Sequence, residues 1–122
     1  MTLLTALRAD LPKLMKRRDT VALRSVRDAI AAIENAEISY VAEPALVAEP
    51  SEFVAGGVKF GHAERIVTEL SPSEMMALAR AQVDSRLEDA ARYRAAGQID
   101  RALTLKAEAL ALSDRLDTHH PH

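Results

Sequence analysis

The stretch Thr20–Tyr40, TVALRSVRDAIAAIENAEISY, decides the fold. At about 100° per residue, Leu23, Val26, Ile30 and Ile33 share one face, at the three-four spacing of a helix in a bundle seam. Ser25, Ala29, Ala32 and Ala36 form a flanking strip of small side chains, where another helix backbone can come close. Asn35 falls on neither strip. It projects roughly opposite the seam, along the ridge of Arg24, Asp28 and Ala31, so a weak helix former is carried outside the core. The spacing predicts a helix over 20–40.

Upstream, Leu3, Leu4, Leu7, Leu11, Leu14 and Met15 recur at helical spacing, with Thr2 positioned to cap. Pro12 lies inside that pattern and is expected to kink the helix or divide it in two. Lys16-Arg17-Arg18 closes the segment, and Asp19 can cap the next helix. Downstream, residues 41–69 read as a connector, because VAEP occurs twice, at Val41–Pro44 and Val47–Pro50, before Gly56-Gly57 and Gly61. These prolines and glycines argue against a continuous helix, and GGVKFG (56–61) reads as a short hairpin. A connection of this length in a compact domain is expected to be mobile or laid over the surface.

Ser71-Pro72-Ser73-Glu74 is a helix start: a capping serine, a proline suited to the first turn, and a glutamate placed to complete a capping box. That helix should run to about Ala96 and end at Gly97. Met76, Ala79, Val83, Leu87 and Ala90 form its expected buried stripe, edged by Arg86 and Tyr93. A last helix, about 99–116, carries Ile99, Ala102, Leu105, Ala109, Leu112 and Leu116 on one face. Leu103 and Leu110 point elsewhere and need a second neighbour, such as a second copy of the chain. The fold expected is all-α: a four-helix bundle with a long Pro/Gly-containing connector between helices 2 and 3, one domain over 1–118, and a flexible tail at 119–122.

Composition agrees with close helix packing. Apolar residues make up 48% and aromatics only 3%, so the core must be built from Leu, Val, Ile and Ala. A formal net charge of −2 gives no global field for holding nucleic acid or an acidic membrane surface. Sign is nevertheless segregated: Arg8, Lys13, Lys16, Arg17, Arg18, Arg24 and Arg27 stand against Asp10 and Asp19, whereas every charge from Glu34 to Glu52 is acidic. Cysteine is absent, which excludes disulfides and thiolate metal sites. The N-terminus lacks the pattern of a secretory signal and no stretch reads as a membrane span, so a cytoplasmic location without membrane attachment is expected.

Taken together, Val26-Arg27, Ala31-Ala32-Ile33, Asn35-Ala36-Glu37-Ile38, Leu70-Ser71, Arg86, Tyr93 and Ala96-Gly97 resemble the YqeY family. These are small bacterial proteins similar to the C-terminal region of GatB, a subunit of the glutamine-dependent aspartyl/glutamyl-tRNA amidotransferase. The resemblance covers most of residues 2–116 outside the connector, and its motif positions here are Arg27, Asn35, Glu37, Arg86, Tyr93 and Gly97. It implies a non-catalytic accessory or interaction module linked to tRNA amidation, with amidotransferase subunits or tRNA as partners. The family label, carbon–nitrogen ligation with glutamine as amido donor, derives from kinship with GatB, whose catalytic work lies in other domains. Typical members continue past the last helix into a small second helical domain, which this chain is expected to lack.

The residues themselves supply no catalytic constellation. GGVKFG lacks the Gly-Lys-Ser/Thr of a phosphate loop, His62 stands alone, and Ser71 is explained by capping. His119, His120 and His122 read as a terminal tract rather than a metal site. No cofactor or metal is expected. The candidate contact surface is the basic group Lys13, Lys16, Arg17, Arg24 and Arg27, as an RNA- or partner-facing patch. Its competing explanation is local: cations favour a helix C-terminus, and Arg24 can pair with Asp28 at i, i+4. Arg24, Arg27, Asn35, Arg86 and Tyr93 are further expected to form a polar network that sets the register of helices 2 and 3.

Overall fold

Among the described residues, three of the four helices begin at side chains that accept the orphan amides of a first turn. The computed structural model describes residues 1–41 and 64–119. Thr2 Oγ1 accepts from the Thr5 amide at 3.1 Å, opening α1 (Leu3–Arg17). Asp19 Oδ1 accepts from the Ala22 amide at 3.0 Å at the start of α2 (Thr20–Glu37). At Ser71 the capping box is complete: its hydroxyl accepts from the Glu74 amide at 3.1 Å, and Glu74 accepts from the Ser71 amide at 2.8 Å. Pro72 then opens α3 (Pro72–Ala95), and α4 (Ile99–Thr118) follows.

The turns between paired helices share one device. After α3, Gly97 (φ +83°) donates to Arg94 O at 3.0 Å while Gln98 donates to Tyr93 O at 2.9 Å, a Schellman motif. After α1 the same pair of bonds runs from Arg18 to Met15 O and from Asp19 to Leu14 O. Here the left-handed position is held by Arg18 at φ 58°, without the freedom of a glycine.

The chain divides into two compact units, Met1–Glu34 with Leu70–His122, and Asn35–Glu69. The first is the expected four-helix bundle. Its contiguous core joins Leu3, Leu4, Leu7 and Leu14 of α1, Val26, Ala29, Ile30 and Ile33 of α2, Met75, Ala79 and Val83 of α3, and Ala109, Leu112 and Leu116 of α4. Ser25, fully buried, returns its hydroxyl to Ala22 O at 3.2 Å, which lets a hydroxyl sit among aliphatics.

Four expectations need correction. Pro12 neither divides α1 nor interrupts it; Pro12 and Arg8, whose carbonyl the proline leaves without an amide partner, both lie on the exposed side of the helix. The stripe of α3 is registered on Met75, with Met76 half-buried. Leu87 and Ile99, expected inside, are 41% and 49% exposed. Finally, α2 stops at Glu37, because Ile38-Ser-Tyr-Val41, rich in strand formers, pairs as β1 with β2 (Glu64–Val67). The two strands are antiparallel, with Ile38 opposite Val67 and Val41 opposite Glu64, and the Thr68 amide bonds Glu37 O at 2.6 Å. Both belong to the second unit. The VAEP repeats, the 56–61 piece, His62, His120 and His122 lie outside the described residues.

Candidate functional site

Burying an arginine costs far more than burying a leucine unless each nitrogen finds an acceptor. Arg86 of α3 is 8% exposed and Glu108 of α4 is 3% exposed. Arg86 Nε donates to Glu108 Oε1 at 3.0 Å and its Nη1 to Gln82 Oε1 at 3.4 Å, and its Nη2 donates to Asp28 of α2. The second oxygen of Glu108 lies 3.6 Å from Arg24 Nη1 of α2. One ion cluster, with the buried Arg86–Glu108 pair at its centre and the exposed Arg24 and Asp28 at its edge, therefore ties three helices. Burial opposes the Arg86 charge, but its hydrogen bonds to Asp28 and Glu108, and their negative charges, outweigh it and raise the guanidinium pKa. With these donors spent on acceptors from α2, α3 and α4, the cluster works as a structural clamp.

The expected polar network thus exists with a different membership. Arg24 pairs across to Glu108, and Asp28 pairs with Arg86, in place of the local Arg24–Asp28 pair. Arg27 and Asn35 are exposed, and Tyr93 sits under Arg101, 5.1 Å from guanidinium carbon to ring centroid. Glu108 was invisible as a member because it stands beside the apolar stripe of α4. The available signal was Arg86 itself, which on a helix edge needs an acid from a neighbouring helix.

Lys13, Lys16, Arg17, Arg24 and Arg27 are all exposed, as a contact patch requires, although Arg24 also lies 3.6 Å from Glu108. Lys13 also borders a depression of about 270 Å³ with Asp10, Arg115 and His119. There Arg115 Nε lies 3.4 Å from Asp10 Oδ2, and Arg115 Nη1 donates to Ala111 O at 2.8 Å. Among the described residues, no group of three or more His, Cys, Asp or Glu is placed to hold a metal ion, and no helix is long and apolar enough to cross a membrane.

An apolar groove lies at the α3–α4 turn. Ala90 and Ala102 floor a groove of about 410 Å³ whose walls are Leu87, Ala91, Ile99 and Leu103. Among the described residues, Arg94 and Lys106 are its only charged lining residues. Leu103 is 59% exposed, and Leu110, one helical repeat further along α4, is 51% exposed. Both were expected to need a second neighbour. Ala90 and Ala102 are buried yet lie outside the contiguous core, so this end of the helical hairpin carries its own aliphatic cluster. Comparison with protein-family models, curated proteins and solved structures finds no match to this chain.

Proposed function

We propose that this chain is a non-catalytic, YqeY-like helical module that acts by binding, as an accessory to glutamine-dependent tRNA amidation. The observation that carries the binding role is the aliphatic groove between α3 and α4, with Leu87, Ile99 and Leu103 left in water. Exposed aliphatics concentrated on one groove mark a surface built for a partner. The buried charges, in contrast, are consumed in holding helices together. The link to amidation rests on the resemblance carried by Arg27, Asn35, Glu37, Arg86, Tyr93 and Gly97. Its test is capture of amidotransferase subunits by the immobilised chain, with Leu103→Glu as the matched control. Recovery by the wild type and loss with the variant is expected; equal recovery, or none, rejects the accessory role.

A second reading, an RNA-binding module, is favoured by the exposed cations Lys13, Lys16, Arg17, Arg24 and Arg27. It requires tRNA mobility to shift at low salt, binding to weaken steeply as salt rises, and Lys13→Ala with Arg17→Ala to weaken it further. Unshifted tRNA at excess protein removes this reading.

A further inference from the structure

We infer that the α3–α4 groove receives an acidic amphipathic helix from a partner protein, a conclusion that rests on the groove being an interaction face. The argument is shape and charge together. From Leu87 to Arg94 on α3, and from Ile99 to Lys106 on α4, the groove runs for seven residues, about 10 Å at a helical rise. Two turns of a partner helix, with aliphatic residues at i, i+3 or i+4, and i+7, match that length. The alanine floor leaves space for bulky side chains to enter, which leucines at the floor would fill.

The charge selects the partner. The groove's charged lining residues, Arg94 and Lys106, come one from each helix, are both cations and are both exposed. Among the described residues no acidic side chain lines the groove: Asp89 is turned to Arg92, beside a separate depression. A second copy of this face would bring guanidinium and ammonium groups against their like, which disfavours self-association. Carboxylates flanking an aliphatic stripe would instead meet both cations.

The test is a phage-displayed peptide library selected in parallel on the full chain and on Leu103→Glu, whose helical content is checked by circular dichroism. The wild type should enrich peptides with aliphatic residues at helical spacing and an excess of carboxylates, and Leu103→Glu should enrich none of these. Arg94→Glu with Lys106→Glu should weaken the best peptide about tenfold or more. Exchanging that peptide's carboxylates for lysines should restore binding to the charge-reversed variant. Enrichment of neutral or basic aliphatic helices, or affinity untouched by charge reversal, overturns the acidic partner while leaving the interaction face standing. A dimer in sedimentation that Leu103→Glu dissolves identifies a second copy as the occupant and also overturns it. With no peptide enriched and no dimer formed, the interaction face itself fails.

Discussion

Arg86 loses most of its water on folding, and acceptors on three helices replace it: Gln82 on its own, Asp28 on α2 and Glu108 on α4. The partners are unequal. Glu108 is buried, whereas the Asp28 side chain is 52% exposed and screened by solvent. Glu108→Ala should therefore cost about 3–5 kcal/mol, the usual penalty for leaving a buried charge without its partner, and Asp28→Asn about 1 kcal/mol or less. Chemical denaturation with a double-mutant cycle separates these. Adding Arg86→Met to Glu108→Ala should recover much of the loss, because the orphaned charge goes with it. A strictly additive double variant would refute the clamp. The left-handed residues offer a second check at this scale. Arg18→Gly should stabilise by up to about 1 kcal/mol, while Gly97→Ala, with open space around it but φ +83°, should destabilise by a similar amount.

At the scale of elements, what could be read in advance was whatever is decided locally. Ser71-Pro72-Ser73-Glu74 and Gly97 state a start and a stop within a few residues, and both are found in place. Pro12 could not be judged this way, because its effect depends on whether the carbonyl it frees faces water. Ile38–Val41 could not either: a strand needs its partner, and β2 lies beyond the connector. Glu108 and Arg24 belong to the same class, since each answers to a residue on another helix. The α3 cap also has a pH signature. The Ser71 amide and hydroxyl hold the Glu74 carboxyl below the usual glutamate range. The unfolded chain therefore takes up the proton first as pH falls, and the cap's contribution, complete above about pH 4.3 to 5, is lost as pH drops through the depressed value. Wild type should exceed Glu74→Gln in denaturation midpoint at neutral pH, with the gap closing in acid; a gap that persists unchanged would show that the charge contributes nothing.

For the molecule as a whole, the two compact units are built on different footings. Every residue of the contiguous core among the described residues belongs to the helical unit, where Val26, Ile33, Ala109 and Leu112 are fully buried. The described part of the other unit consists of the end of α2 and a two-stranded ladder of four residue pairs. A lone strand pair is marginally stable in water, whereas a helical bundle opens only at the cost of its core. Stability should therefore be uneven along the chain. In native-state hydrogen exchange, amides of Ile30, Val83 and Leu112 should be protected by nearly the full unfolding free energy. Bonded amides of Ile38–Val41 and Glu64–Thr68 should exchange by local opening, at rates insensitive to Leu112→Ala. That substitution should cost about 2–5 kcal/mol in the bundle and accelerate exchange at its most protected amides only. Equal protection in strands and bundle, or strand amides that accelerate with Leu112→Ala, would show instead that both units unfold as one.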